Sequence, residues 1–339
     1  MPKYSILIPA YNAEDYINET VESILNQQYT DYEIIIMNDG STDATSEVCE
    51  KLAKSDSRIT VFEKDNEGLM KTRFALFEKA TGLYVICCDS DDKWEQDSLK
   101  IIDKNIEEYH PDILMFSYNL WKAKTDEKKE VQAYLDSHKI FDENNMKELW
   151  EKVLCTDEIN SLVTKVISKS VLPKNWDIPV VSHGEDKMQL IKIVENCSRV
   201  LYISDALYDY RIDNVSMTRS FNTKFFDDVI TVRKEVWKTL DAKNMLTDSS
   251  ICSMGCDLLE LFVAFIIRLH RSNLKNAEKK ETFNKYYNEE IFVKIIEKME
   301  YSKIPNWQKA MLFFVRSKQI WVINLLYDIK FLLKVNKNE

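Results

Sequence analysis

Short apolar runs separated by amphipathic stretches fill about the first hundred residues of the chain. Tyr4-Ser5-Ile6-Leu7-Ile8, Glu33-Ile34-Ile35-Ile36-Met37, Ile59-Thr60-Val61-Phe62 and Tyr84-Val85-Ile86-Cys87-Cys88 each have the length and content of a strand. The last run has no polar interruption, which suits a strand covered on both faces, as in a parallel sheet flanked by helices. Pro9 is expected to stop the first strand. Asn12 is expected to cap a helix whose apolar positions Ile17, Val21, Ile24 and Leu25 keep helical spacing until Gln28 breaks it. The polar turn Asn38-Asp39-Gly40-Ser41-Thr42-Asp43 leads into a helix through about Leu52, and Leu69, Arg73, Leu76 and Phe77 mark a third helix. This alternation specifies a parallel sheet with helices on both faces.

Each crossover delivers a polar cluster to a strand's carboxyl end: Ala10-Tyr11-Asn12, Asn38-Asp39, Asn66 and Asp89-Ser90-Asp91. Singly each is an ordinary turn or cap; together they mark the edge where such sheets bind ligands. Asp89 and Asp91, two apart with a bend between them, offer carboxylate oxygens to a hard cation such as Mg²⁺ or Mn²⁺, and that cation suits a diphosphate. Acids at a buried strand's exit cost stability unless something neutralises them. Asp92-Lys93-Trp94-Glu95 fits a capping box, giving Asp92 a structural role. An EF-hand loop starting at Asp89 fails, because Lys93 takes a ligand position and Trp94 the glycine position.

Composition narrows the classes. The net charge of -10 argues against broad nucleic-acid binding, which needs a basic face. Seven cysteines include the adjacent pair Cys87-Cys88 and form no CxxC, so neither a disulfide framework nor a zinc site is suggested and a reducing, cytoplasmic setting is expected. Met1-Pro2-Lys3 runs straight into the first strand without the features of a signal peptide. Five isolated glycines exclude both the GxGxxG dinucleotide fingerprint and the GxxxxGK[ST] phosphate loop.

Further along, Ile113-Leu114-Met115-Phe116-Ser117-Tyr118 reads as another strand, and the charged stretch from Lys122 to Glu130 as a solvated hairpin or loop. Val180-Val181-Ser182-His183-Gly184-Glu185-Asp186 places two acids after an apolar run, as at a helix start, where the dipole favours them. His183 reads as a surface residue. From about residue 220 the pattern turns helical. Ile251 to His270 is dense in apolar residues but carries Asp257, Glu260 and Arg268, which fits a core helix. Trp321, Val322, Leu325, Leu326, Ile329, Leu332 and Leu333 share one helical face within a basic stretch, suited to a membrane surface, to packing on the catalytic domain or to a dimer partner.

These residues resemble the family 2 glycosyltransferases of GT-A fold. The likeness rests on Ser5 through Asn12, Asn38 through Asp43, Asn66 with Gly68 and Arg73, and Asp89-Ser90-Asp91-Asp92; it continues more weakly through Gly184-Glu185-Asp186 and Tyr208 to Thr218. It implies an α/β fold with a Rossmann-like mixed, mostly parallel sheet and an α-helical C-terminal region. Residues 1–105 would form the donor half of the GT-A domain, 106–219 the acceptor and catalytic-base half, and 220–339 the helical region. It further implies a nucleotide-sugar donor, usually a UDP-sugar. Asp39 would bond the uracil, with Pro9, Ala10, Tyr11, Glu14 and Arg73 lining the nucleoside pocket. Asp89 and Ser90 would lie near ribose and phosphate, with Asp91 holding Mn²⁺ or Mg²⁺. Asp186 resembles the catalytic base of inverting members, and Glu185 an acceptor-binding residue or fallback base. Arg211, with Tyr208-Asp209-Tyr210 and Ser216-Met217-Thr218, resembles the motif that closes over the diphosphate. One departure stands out: Thr72-Arg73-Phe74 occupies a place where the family often has Ala-Arg-Asn.

The expected activity is metal-dependent, inverting transfer of a hexosyl or N-acetylhexosaminyl group to a glycan, lipid-linked or protein-linked acceptor, at or near the inner face of the plasma membrane. A sugar nucleotidyltransferase of the same fold needs a glycine-rich basic loop that Pro9-Ala10-Tyr11-Asn12 lacks. An idle sugar-nucleotide-binding scaffold is opposed by intact acids at all three places.

Overall fold

The computed structural model describes residues 1–212 and 223–319, which separate into two compact units. Of the described residues, the first comprises 1–153 and 157–212, the second 154–156 and 223–319.

In the first unit, strand β1 (Tyr4–Ala10) is followed by helix α1 (Ile17–Leu25), β2 (Tyr32–Asp39), α2 (Thr45–Ser55), β3 (Ile59–Lys64), α3 (Leu69–Lys79) and β4 (Tyr84–Cys87). Strand β1 lies between β2 and β4 with parallel register, Ile6 opposite both Ile34 and Ile86. Its seven residues are all buried, as expected for a strand covered on both faces. Pro9 does not stop it. Leu7 turns its carbonyl toward β4, where it accepts from Cys88 N at 3.0 Å. Pro9, two residues on, would aim its missing N–H the same way, beyond the end of β4, so the ladder loses nothing.

The sheet then changes character. After β5 (Lys93–Trp94) and α4 (Ser98–Tyr109) come β6 (Ile113–Lys122), β7 (Glu127–Val131), β8 (Lys139–Phe141), α5 (Met146–Cys155), β9 (Lys165–Ser168), α6 (Glu185–Val194) and β10 (Val200–Arg211). The order is β3-β2-β1-β4-β9-β6-β10-β5, with β7 against β6 and β8 against β10. Strand β9 runs antiparallel to both neighbours, and β10 runs parallel to β6. The charged stretch after Lys122 is the β6–β7 hairpin, whose Lys128 reaches back to Asp209 and Glu95, each at 2.7 Å.

Two expected caps are replaced by other roles. Asn12, at φ 50°, makes no helix cap: its Oδ1 accepts from Thr42 N at 2.9 Å and its N–H donates to Ser41 Oγ, joining the loops after β1 and β2. Asp92 starts no helix, because Lys93-Trp94 pairs antiparallel with Tyr208-Asp209 and α4 begins only at Ser98.

The second unit holds α7 (Thr223–Ala242), α8 (Asp248–Arg271), α9 (Asn276–Tyr287), α10 (Glu290–Lys298) and α11 (Asn306–Arg316). Phe226, Phe262, Phe265, Tyr286 and Phe292 pack its core ring against ring. Helix α8 is long and apolar enough to cross a membrane by length and composition, and most of that stretch is buried within the protein. A reciprocal cap between Thr247 and Ser250 starts it. The motif Ser216-Met217-Thr218 and the apolar face from Trp321 to Leu333 lie outside the described residues.

Just before β4, Gly82 packs closely on β1, and its N–H donates to Ser5 Oγ at 2.8 Å. A Cβ there would come within 2.8 Å of the Ser5 backbone nitrogen. Gly82→Ala is expected to destabilise the first unit by ~1–3 kcal/mol through overpacking, read as a lower thermal midpoint; an unchanged melt would show that β1 yields at no cost.

Candidate active site

The site is built on the turn after β4. Side chains from two elements pin its backbone. Thr20 of α1 donates to the carbonyls of Ser90 and Asp92, at 2.9 and 2.7 Å, and Arg211 Nε at the end of β10 donates to that of Asp91 at 2.6 Å. The Tyr208 hydroxyl accepts from Asp89 N at 3.0 Å and donates to Asp92 Oδ2 at 2.8 Å, while Asp92 Oδ1 takes the Arg211 N–H. Asp92 is thus structural, as expected, through β10 rather than through a cap. Burial, with Asp89 and Asp91 close by, pushes its carboxyl well above the usual range.

On this platform Asp89 meets Arg73. The guanidinium, 2% exposed, donates from Nη2 to Asp89 Oδ1 at 3.1 Å and from Nη1 to Asp186 Oδ1. Asp89 and Asp186, nearly a hundred residues apart, are therefore joined by one cation. Asp186 lies in the first turn of α6, which Gly184 enters at φ 82°, and its Oδ2 accepts from Leu162 N at 3.4 Å. Burial raises Asp89, against the opposing pull of Arg73. Burial, reinforced by the charge of Asp186, pushes neighbouring Glu185 up to about 7.

The departure at Phe74 has a physical use. Its ring stacks on Trp176 at 4.5 Å, and Phe77 does so at 5.5 Å, tying α3 to the segment that leads into α6. Val181 N contacts Met70 Sδ at 3.4 Å on the same helix. Aromatic packing therefore holds Arg73 and Asp186 in register from behind.

Asp39 forms a separate station. Its carboxylate accepts from Lys64 Nζ at 2.6 Å and from Glu67 N and Gly68 N at 3.0 and 2.9 Å. Burial alone would raise it, but the lysine and the two amides hold it below the usual carboxylate range. Gly40, at φ 67°, lies against Asn66 and brings the loops after β2 and β3 together. Glu14 caps α2 through Ala44 N at 2.7 Å, Pro9 and Ala10 are buried strand residues, and Tyr11 is exposed at the strand exit. Ser90 and Asp91 are half-buried on the turn. Arg211 is engaged with Glu19 Oε2 at 2.6 Å and stacks over Trp121, 4.3 Å from its ring centre. Among the described residues no group of three or more His, Cys, Asp or Glu is placed to enclose a metal.

Two residues escaped the sequence reading. Tyr208, in the sequence part of the Tyr208-Asp209-Tyr210-Arg211 motif, is in the fold the buried anchor of the Asp89 turn. Lys165, fully buried in β9, donates to the Ser161 carbonyl and to Thr164 Oγ1, bracing the turn whose Leu162 amide holds Asp186. A lysine in an apolar run, Lys165-Val166-Ile167, is the available signal. Burial pulls its ammonium down to about 7, with Asp186 and Cys87 pulling the other way.

Tyr208→Phe should cost ~1–3 kcal/mol by orphaning the Asp89 amide and the Asp92 carboxyl; an unchanged unfolding midpoint would refute the anchoring role. For Lys165 the unfolded state holds its proton up to the ordinary lysine value of 10.5, and the folded state only up to about 7. The penalty is full below pH 7 and fades as pH rises toward 10.5. The thermal midpoint of Lys165→Met relative to the natural chain should therefore fall across that window; a pH-independent difference would contradict it.

Known proteins resemble this chain in sequence and in fold. Residues 5–172 match the profile of Glycosyl transferase family 2. Glycosyltransferase GlyA of Streptococcus pneumoniae is 30% identical over 243 residues, 69% of this chain and 34% of GlyA. Putative glycosyltransferase EpsH of Bacillus subtilis is 28% identical over 253 residues, 73% of this chain and 72% of EpsH. The chain thus spans about a third of the length of GlyA. The crystal structure of S. aureus TarS 1-349 superposes with a TM-score of 0.65 at 19% identity, covering 97% of this chain and 92% of that one, which shows a common fold. Through residues 5–172 this chain belongs to glycosyl transferase family 2.

Proposed function

We propose that the protein is an inverting glycosyltransferase that takes a sugar from a UDP-sugar and delivers it to a hydroxyl group of a glycan, lipid-linked or protein-linked acceptor. The observation that carries the reading is the Arg73 bridge, which sets Asp186 beside the turn that ends β4. TarS, named a poly(ribitol-phosphate) beta-N-acetylglucosaminyltransferase, has been crystallised with UDP-GlcNAc, which supports a UDP-sugar as donor. The reading includes a cytoplasmic location, in keeping with seven cysteines that form no disulfide among the described residues.

In this reading the acceptor hydroxyl lies within reach of Asp186. The carboxylate takes the hydroxyl proton as the oxygen attacks the anomeric carbon; the bond to the diphosphate breaks, UDP leaves with its electron pair, and the configuration inverts. Arg73 and the Leu162 amide fix the carboxylate's orientation. Glu185, raised by burial and by the charge of Asp186, either donates to or accepts from an acceptor hydroxyl.

The donor set fits Mg²⁺ or Mn²⁺. Such ions bind through one or two carboxylates, waters and substrate phosphates rather than in an all-protein cage, and Asp91 on the pinned turn supplies a carboxylate. When bound, the ion would stabilise the charge of the departing diphosphate.

Calorimetric titration with UDP, with and without Mn²⁺, tests the donor side. Binding is expected to strengthen with the metal and to lose that gain in Asp91→Asn. Asp186→Asn should keep UDP binding and lower transfer from UDP-GlcNAc by ~10²–10⁴-fold, the usual weight of a general base. Metal-stimulated UDP binding without turnover on any UDP-sugar would favour a binding scaffold.

A further inference from the structure

Helix α11 of the second unit has an unusual outer face. Gln308, Leu312 and Val315 point inward and are buried, and Arg316 caps α10 through the carbonyls of Ile296, Glu297 and Met299. The helix is therefore firmly seated. On its solvent side Trp307 is 54% and Phe313 53% exposed, Ala310 between them is also exposed, and half-buried Phe314 meets Phe313 edge-on at 5.5 Å between ring centres. One face of an eleven-residue helix thus shows water three aromatic rings, which a helix evolved only for solvent would replace with polar groups.

The charge around that face is as uneven. Residues 301–319 contain Lys303, Lys309, Arg316 and Lys318 and no acid, within a chain of net charge -10. Lys303 is paired with Asp248 and Glu300. Lys309 contacts the neutral Asn306 side chain, and Lys318 the ring of Tyr287, so both keep their charge uncompensated by these partners. The sequence from 320 to 339 continues this composition, with Lys330, Lys334 and Lys337 against Asp328 and Glu339.

We infer that the Trp307–Phe313 face of α11 docks onto an anionic lipid surface, its rings entering the interfacial layer and Lys309 and Lys318 meeting the headgroups. A helix with aromatic residues on one side and lysines at its edges has the chemistry of an interfacial anchor. A second copy of the chain suits the face less well, because a two-fold contact would bring together two copies of the same acid-free segment, each carrying Lys309 and Lys318. The inference deepens the location proposed above and is independent of the catalytic assignment, since every residue in it belongs to the second unit.

Sedimentation with phosphatidylcholine vesicles, with and without phosphatidylglycerol, tests it on the full chain. The protein should bind the phosphatidylglycerol vesicles, bind phosphatidylcholine alone weakly, and detach as salt rises. The double variants Trp307→Ala with Phe313→Ala and Lys309→Glu with Lys318→Glu should each weaken binding about tenfold or more, with melting and UDP titration unchanged. Equal binding to both vesicle types, no binding, or variants that bind like the natural chain would overturn it. So would a dimer in sedimentation velocity that the aromatic variant dissolves. Loss of UDP binding in the natural chain would instead count against the catalytic reading and leave the vesicle result standing.

Discussion

A guanidinium that is 2% exposed demands partners, and Arg73 finds them in Asp89 and Asp186. Breaking a buried pair of this kind by removing one side costs ~3–5 kcal/mol, because the charge left behind has no water to turn to. The constraint acts on three elements at once. Helix α3 must present Arg73 inward, the turn after β4 must bring Asp89 to it, and α6 must begin where Asp186 can reach the other nitrogen. The stacking of Phe74 and Phe77 on Trp176 serves that geometry. An aromatic residue at 74 thus fixes α3 against the approach to α6.

The second level of order is the turn itself. Main-chain carbonyls in an exposed turn ordinarily bond to water and move with it. Here Thr20 takes two of them and Arg211 a third, while Tyr208 holds the first amide. Locking the backbone leaves the side chains of Asp89 and Asp91 as the variable parts, which is what a site needs if its acids are to meet a ligand without reorganising. Asp92 is the cost of that lock: a carboxyl buried in β10's hydrogen bonds, pushed well up by that burial and by the acids beside it.

How much of this the sequence disclosed follows from the range of each interaction. Period and polarity were enough for β1 to β4, their helices and the four polar clusters at the strand ends, because those features are local. The caps failed for the opposite reason. Asn12 and Asp92 have the right identities for helix caps, but each was claimed by a distant partner, Thr42 for one and Tyr208 with Arg211 for the other. No local rule weighs a hydrogen bond across 116 residues. The reach of β10 was hidden likewise, since Tyr208-Asp209-Tyr210-Arg211 reads as a motif while its strand partners Tyr118 to Trp121 lie far back in the chain. Arg73 stands out in the sequence as part of a motif, but its bridging of Asp89 and Asp186 is visible only in the fold.

Charge is what finally distinguishes the site from ordinary structure. Asp89, Asp91, Asp92, Glu185 and Asp186 lie on two adjoining segments, and the buried cations near them are Arg73, Arg211 and Lys165. Arg211 is spent on Glu19, and Lys165 is pulled down to about 7 by burial. Arg73 is shared between Asp89 and Asp186, and burial still raises Asp89, Asp92 and Glu185 toward protonation. In the reading proposed above, acids gathered at one sheet edge on a backbone locked in place are the part of the protein that meets a ligand's positive charge without reorganising.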